Sequence, residues 1–174
     1  DPARCRPARF PVFIRGENDH SGPETPLPGD QAELDAAIEG LSRAGRTREG
    51  RVVIEYRAAP EADGYFRKYA AFVLLGEILP KHVLFSRSWV GKRAASEVDA
   101  ARAREERRYV EDNPHASRLA VVSRLARIDY GRIDYGLVDG RLQVYEVNTN
   151  PSIGRLDLPS EPGSPSPFTP ATAT

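Results

Sequence analysis

The sequence predicts an α+β fold in which antiparallel sheets pack against helices. Short apolar runs that suit strands recur along the chain, and two pairs of them are joined by turn-forming residues, as in β-hairpins. Longer segments between these runs have the apolar spacing or the Ala-, Arg- and Glu-rich composition of helices.

Length and composition restrict the class of protein. The 174 residues suit one compact domain or two small lobes, and 40% hydrophobic residues are enough for a core. Lys and Arg balance Asp and Glu at 25 each, so no basic field indicates a nucleic-acid partner. No apolar run approaches the ~20 residues that span a membrane. The single cysteine, Cys5, cannot form an internal disulfide, which favours a reducing, cytoplasmic location. Because the chain contains no methionine, we expect it to be a processed or partial sequence.

The first part of the chain reads as strand, loop, helix and strand. RFPVFIR at 9–15 suits a buried strand, and the segment 16–29, dense in Gly, Pro, Asn and Asp, suits a long loop. Asp30 precedes Glu33 with the spacing of a capping box, so we expect a helix to begin there. A second strand is predicted at 51–56.

The middle of the chain contains a predicted hairpin and a helix. After a break at 58–64, residues 65–86 suit two strands that turn around Gly76 and Glu77. The composition of 94–112 then predicts a helix whose charged residues form a solvated face.

The phrase RIDYG occurs twice in succession, at 127–131 and 132–136. The first copy is predicted to close a helix with Gly131 as its C-cap, and the second copy to open a strand. The repetition is therefore interpreted as a coincidence between two structural settings. On one continuous strand, Asp129 and Asp134 would in any case point to opposite faces, because five residues separate them.

The last predicted hairpin turns at Asp139–Gly140. On its second strand Glu146 and Asn148 lie two residues apart and so share a face, which we also expect to carry Leu142 and Val144.

The position of Asp134 depends on the length of that turn. A two-residue turn pairs Asp134 with Tyr145 and leaves it on the wrong side, whereas a three-residue loop brings it to the face of Glu146 and Asn148. A cation-binding cluster therefore requires the three-residue loop.

Two carboxylates and an amide oxygen on one rigid face are ligands that Mg²⁺ accepts alongside water and phosphate oxygens. The alternative is an ordinary exposed face with a Glu–Arg cross-strand pair, which contributes about 0.2–1 kcal/mol.

The stretch GRIDYGLVDGRLQVYEVNTNPSIG resembles the C-terminal signature of the ATP-grasp superfamily. The similarity is greatest to the D-alanine–D-alanine ligase pattern G-R-[IMV]-D…E-[AVI]-N-T-x-P-G. This resemblance implies that Asp134, Glu146 and Asn148 bind the Mg²⁺ ions that bridge the ATP phosphates, and that Arg132 faces the reacting group. Asp129 has no counterpart in the signature and is interpreted as a helix-end residue.

Weaker similarities lie upstream. Arg15 stands where the family has a nucleotide-binding lysine at the end of a strand, and VVIEY is similar to the hinge strand that holds adenine and ribose. By this resemblance Glu55 and Tyr56 contact the nucleotide, and Lys68 or Arg67 contacts its phosphates. Since Lys68 and Arg67 alternate faces, only one enters the cleft, and we expect Lys68 to be that residue.

The resemblance covers roughly residues 9–154 and implies an ATP-grasp-type two-lobed fold that lacks its N-terminal part. The expected divisions are a partial N-lobe at 1–57, a C-lobe with the metal-binding hairpin at 58–156 and a disordered Pro/Ser/Thr tail at 157–174.

The implied activity is ATP- and Mg²⁺-dependent joining of a small-molecule carboxylate to an amine or thiol through an acyl-phosphate, with no nucleic-acid or membrane partner. Two alternatives are a nucleotide-binding fragment without catalysis and an ATP-grasp-type kinase. Trp89 is interpreted as a packing anchor and not as a ligand platform.

Overall fold

The computed structural model describes residues 5–18, 22–91 and 96–152, and these form two antiparallel sheets and three helices. The predicted α+β class with antiparallel sheets is therefore confirmed, while the predicted tail at 157–174 lies outside the described residues. The elements are β1 (Val12–Gly16), α1 (Gln31–Arg43), β2 (Arg51–Glu55), β3 (Phe66–Leu74), β4 (Glu77–Ser86), α2 (Ala100–Asp112), α3 (Ala116–Ala126), β5 (Tyr130–Val138) and β6 (Arg141–Asn148).

The smaller sheet consists of β1 and β2, covered on one face by α1. The two strands are antiparallel, with Val12 opposite Glu55 and Ile14 opposite Val53. Alternation along β1 sends Val12 and Ile14, both fully buried, toward Leu34 of α1. Phe13 and Arg15 consequently point away from this core.

Helix α1 begins as the capping-box spacing predicts. The Asp30 carboxylate accepts a hydrogen bond from the Glu33 backbone N at 2.9 Å, and the Glu33 carboxylate accepts one from Gly29 N at 2.7 Å. These bonds satisfy amides that the first helical turn leaves without backbone partners.

The larger sheet has the order β4-β3-β5-β6, with all neighbours antiparallel. One face packs against α2 and α3 through a core that contains Tyr69, Val73, Phe85, Tyr109, Leu119, Ile133 and Tyr135. The opposite face carries the charged residues of the candidate site.

A chain of hydrogen bonds crosses this core directly behind that charged face. The Tyr109 hydroxyl donates to Ala70 O at 2.9 Å and lies 3.1 Å from the Tyr135 hydroxyl, which in turn lies 2.9 Å from His115 Nδ1. Burial, and then the charge of Arg118, lower the pKa of His115. The neutral ring therefore suits its half-buried position.

Both hairpins of the larger sheet turn on two residues with left-handed backbone. The first turn is Leu75–Gly76, with φ of 50° and 89°, so it is centred one residue before the predicted Gly76–Glu77. The second is Asp139–Gly140, with φ of 51° and 70°, as predicted. Such turns match the right-handed twist of the paired strands.

The prediction for the first RIDYG copy is wrong in its boundaries. Helix α3 ends at Ala126, and the left-handed C-cap is Arg127, with φ of 53°, not Gly131. Strand β5 begins at Tyr130, so Gly131 already lies inside it. A Cβ at position 131 would lie 2.9 Å from the carbonyl oxygen of Asn148, which is too close, so the position requires glycine because it has no side chain. The second copy does not open the strand but lies within it.

Helix α2 ends where predicted but begins later. Its N-cap is Asp99, whose carboxylate accepts hydrogen bonds from the backbone N of Ala101 and of Arg102, both at 2.9 Å. The described residues 96–99 are not helical.

None of the helices in the described ranges is long and apolar enough to cross a lipid bilayer.

Candidate functional site

A cavity of about 290 Å³ lies between the inner face of the β1–β2 sheet and the residues of the larger sheet that face it. Both sheets contribute to its wall, together with residues 89–91, which follow β4. Five of the predicted site residues line it, namely Arg15, Glu55, Tyr56, Lys68 and Glu146. The remaining three, Arg132, Asp134 and Asn148, lie beside it on the charged face of the larger sheet.

One wall of the cavity is aromatic. The Trp89 ring lies 5.3 Å from the Phe13 ring and 5.2 Å, edge-on, from the Tyr56 ring. The Tyr56 hydroxyl is buried and has no hydrogen-bond partner among the described residues, and burial raises the pKa of Tyr56. This wall offers flat apolar surfaces to a planar ligand.

The prediction that Trp89 is only a packing anchor is incomplete, because the ring also lines the cavity. No local pattern identifies it, since its partners Phe13 and Tyr56 come from the other sheet. Only the approach of the two sheets brings the three rings together.

An ion-paired carboxylate forms the centre of the charged face. The Asp134 side chain is 4% exposed, and Arg132 holds it through two bonds, Nε to Oδ1 at 2.6 Å and Nη2 to Oδ2 at 3.1 Å. Lys68 Nζ, on the neighbouring strand, lies 2.9 Å from Oδ2. Burial would raise the pKa of Asp134, but the bonds and charges of Arg132 and Lys68 outweigh it and hold the pKa below its usual value.

The register of the β5–β6 hairpin brings the predicted donors to this same face. Asp134 lies directly opposite Glu146, and Arg132 lies directly opposite Asn148. The Asn148 Oδ1 accepts a hydrogen bond from Asn150 N at 2.9 Å. Asp134, Glu146 and Asn148 thus share one face of two adjacent strands.

The route to this arrangement differs from the predicted one. The turn has two residues, which pair Val138 with Arg141, so the expectation that a cation cluster requires a three-residue loop is wrong. The register shifts between Asp134 and Tyr135, where Tyr145 and Glu146 together oppose Asp134. This bulge takes up the extra residue and returns Glu146 to the side of Asp134.

Because of the bulge, two residues that precede it on β6 point to the face opposite to the predicted one. Leu142 and Val144 pack on the opposite face, against the core with Val147, and do not share the face of Glu146. A sequence signal exists in hindsight, because these inward apolar residues are spaced by two and then by three positions. A step of three within a strand indicates a bulge.

The chemistry of the donor set fits a hard divalent cation. Two carboxylates and one amide oxygen are suitable ligands for a magnesium ion that completes its shell with water and phosphate oxygens. Across the described ranges, no three His, Cys, Asp or Glu side chains come together to hold a metal by themselves. A cation at this set would need further oxygen ligands, and Oδ2 of Asp134 is already engaged by Arg132 and Lys68.

The remaining predicted residues are placed as follows. Arg15 lies on the cavity face of β1, and its Nε donates to Gly16 O at 3.2 Å. The Glu55 carboxylate accepts hydrogen bonds from the backbone N of Ala8 and of Arg9, at 3.1 and 3.2 Å, so its side chain is engaged with the N-terminal segment. Both bonds are made to Oε1 of Glu55.

Arg67 and Lys68 have different partners, but both line the cavity, so the expectation that only one of them enters it is wrong. The Arg67 guanidinium is held by Glu105 of α2, with Nε to Oε1 at 2.6 Å, and by Asp63, with Nη2 to Oδ2 at 3.0 Å. It anchors α2 to the sheet, and Lys68 is the residue of the pair that reaches the charged face.

No protein-family model matches this sequence, and no curated protein matches it either. The structure is similar to several solved ligases. A D-alanine–D-alanine ligase from Bacillus anthracis has 20% sequence identity and a TM-score of 0.45, covering 82% of this chain and 44% of its own. The same enzyme complexed with ATP has 19% identity and a TM-score of 0.44, over 80% of this chain and 41% of its own. An L-amino acid ligase from Bacillus licheniformis has 15% identity and a TM-score of 0.46, over 84% and 33%. This chain thus spans less than half the length of each of these neighbours.

Proposed function

We propose that this chain forms the nucleotide and metal site of an ATP- and Mg²⁺-dependent ligase that joins a carboxylate to an amine or thiol. The observation that carries this proposal is the register that sets Asp134 opposite Glu146 on a face bordering an aromatic-lined cavity. The C-terminal signature supports the same function, as does the similarity to ligases, one of them complexed with ATP.

The cavity suits the nucleoside part of ATP. The rings of Phe13, Tyr56 and Trp89 provide flat apolar contacts for a purine base. The backbone at Glu55 would supply hydrogen bonds along the base edge, whereas the Tyr56 N–H already donates to Pro11 O at 2.8 Å. Arg15 and Lys68 line the same cavity and would bind the phosphates as cations.

Asp134, Glu146 and Asn148 would hold the magnesium ion. When bound, Mg²⁺ would neutralise the charge that develops on the phosphate oxygens during transfer. Arg132 lies beside this set and would face the transferred phosphoryl group, which it would bind through its forked donors.

The proposed reaction has two chemical steps. A substrate carboxylate oxygen attacks the γ-phosphorus, the bond to the β-phosphate oxygen breaks, and an acyl-phosphate and ADP result. The amine or thiol then attacks the acyl carbon, loses its proton and displaces inorganic phosphate. Enclosure of the cavity between the two sheets would keep water from the acyl-phosphate.

Isothermal titration of ATP with Mg²⁺ into the purified chain tests the binding site. We expect saturable heat that is lost when the metal is chelated. The same heat after chelation would contradict the metal assignment, and no heat in either case would contradict the nucleotide site.

Glu146→Gln tests the reaction in the full-length protein. We expect Mg·ATP-dependent phosphate release to be abolished, and Glu77→Gln, at an exposed strand position, serves as the matched control. Wild-type turnover in Glu146→Gln would remove Glu146 from the metal site. ATP binding without turnover in the wild type would identify a nucleotide-binding module, and a stable phosphoester product would identify a kinase.

A further inference from the structure

The two carboxylates of the proposed metal site differ in their accessibility. Both oxygens of Asp134 are engaged by Arg132 and Lys68, and the residue is 3% exposed. In contrast, no hydrogen bond or ion pair engages the Glu146 side chain within the part of the chain that the structure describes, and Glu146 lines the cavity. One half of the site is therefore open and the other half is occupied by the protein's own cations.

We propose that Lys68 keeps Asp134 closed to a free divalent cation and that the phosphates of a nucleotide open it by drawing the ammonium group away. This inference rests on the function proposed above. A cation and the Lys68 ammonium compete for the same carboxylate oxygen, Oδ2, and cannot both contact it in the present arrangement.

The local charge balance favours this role. Lys68 and Arg132 contribute two positive charges, and Asp134 and Glu146 contribute two negative charges, so a free cation meets no net attraction. A triphosphate brings several negative charges to the adjacent cavity. It then provides a second partner for Lys68 and further oxygen ligands for the metal.

Lys68 is the movable partner of the two. Arg132 lies two positions from Asp134 on the same strand and holds it through two bonds, whereas Lys68 makes one bond from the neighbouring strand. The Lys68 side chain is 29% exposed and lines the cavity, and its flexible stem can carry the ammonium toward a phosphate. The order of binding follows: the metal enters with the nucleotide or after it.

Electron paramagnetic resonance of Mn²⁺, titrated into the protein without nucleotide, tests this inference. We expect weak binding in the wild type and about tenfold or tighter binding in Lys68→Met. An adjacent cation typically lowers the pKa of a carboxylate by about one to three units, and a metal that displaces this cation from the carboxylate must first make up for that stabilisation. Lys81→Met is the matched control. Lys81 lies on β4 of the same sheet, where its Nζ donates to Ser152 O at 3.0 Å and lies 4.7 Å from the centre of the Phe72 ring, so its loss should leave Mn²⁺ affinity within about twofold.

A second titration adds a non-hydrolysable ATP analogue. The analogue should tighten Mn²⁺ binding in the wild type by about tenfold or more, and by much less in Lys68→Met, where Oδ2 has already lost its ammonium partner and Arg132 alone engages Asp134. Circular dichroism checks that each variant is folded, and Lys68→Gln replaces Lys68→Met if the latter does not fold.

The outcomes separate this inference from the proposed function. Equal Mn²⁺ affinity in the wild type and both Lys68 variants, or an equal gain in Lys81→Met, would overturn the closing role of Lys68. A wild type that binds no nucleotide by calorimetry would overturn the proposed function, while the titration without nucleotide still decides whether Lys68 blocks Asp134.

Discussion

Replacing Gly136 by alanine tests whether the bulge of β6 depends on space beneath Tyr145. Gly136 is buried in β5, and its φ does not lie in the left-handed range, so the position needs glycine for room and not for backbone conformation. A Cβ there would overlap the Tyr145 hydroxyl and lie 2.9 Å from Cζ and 3.2 Å from Cε2 of the same ring. The ring must therefore move, and it belongs to the residue that forms the bulge.

The expected cost follows from two opposing effects. Overpacking of this kind destabilises a protein by about 1–3 kcal/mol. Alanine in place of glycine inside a strand restores about 0.5–1 kcal/mol by restricting the unfolded chain. Taking the middle of each range, we expect Gly136→Ala to lower the free energy of unfolding by about 1 kcal/mol, since the clash exceeds the entropic gain.

Urea denaturation followed by circular dichroism measures this change. Gly40→Ala is the matched control, because a Cβ at Gly40 in α1 would meet no atom within 4 Å and should stabilise the helix by up to about 1 kcal/mol. In a Tyr145→Ala background, Gly136→Ala should be neutral or stabilising, since the clashing ring is absent. A neutral Gly136→Ala in the wild type, or the same loss in both backgrounds, would refute the reasoning.

Three further predictions concern the fold around the site. Asp30→Ala removes the N-cap of α1 and should lower stability by about 0.5–2 kcal/mol in thermal denaturation. Tyr135→Phe removes the hydroxyl that contacts His115 Nδ1. It should lower the free energy of unfolding by about 1–3 kcal/mol, because the partly buried Nδ1 then lacks its hydrogen-bond partner. The hydrogen bond from Arg67 lowers the pKa of Asp63 from 3.8 to about 2, so the stabilisation from this carboxylate is present above pH 4 and is lost as pH falls toward 2. The difference in urea stability between the wild type and Asp63→Asn should therefore narrow over that interval.

Each of these three predictions has a control variant or a result that would contradict it. Glu39→Ala, at an exposed position of α1, should leave stability within about 0.5 kcal/mol, and an equal loss there would remove the capping explanation. Tyr130→Phe, at a residue 42% exposed, controls for Tyr135→Phe, and matching effects would contradict the role of the buried hydroxyl chain. A stability difference for Asp63→Asn that does not depend on pH would contradict the assigned cause.

Local patterns predicted most elements because their causes are local. Asp30 and Glu33 satisfy amides within one helical turn, and the turn at Asp139–Gly140 follows from residues that accept left-handed backbone. The end of α3 was misplaced because Arg127 takes the left-handed conformation, which sequence reasoning assigns first to a glycine such as Gly131. Gly131 instead accommodates the backbone of the neighbouring strand, and that contact is not local.

The candidate site, too, was predicted correctly in some respects and wrongly in others. The signature indicated Arg132, Asp134, Glu146 and Asn148 as a group, and their shared face is present in the structure. The proposed turn length was wrong, because pairing arithmetic assumed a regular ladder and the register shifts by one residue at Asp134.

The kinds of element, their order and the polar residues of the last hairpin could be predicted without coordinates, because they depend on spacing and composition along the chain. The ion pair between Lys68 and Asp134, and the meeting of Trp89 with Phe13 and Tyr56 across the cavity, became visible only in the folded molecule. Those contacts join separate strands or the two sheets, and their distances follow from how the sheets pack, which no local pattern records.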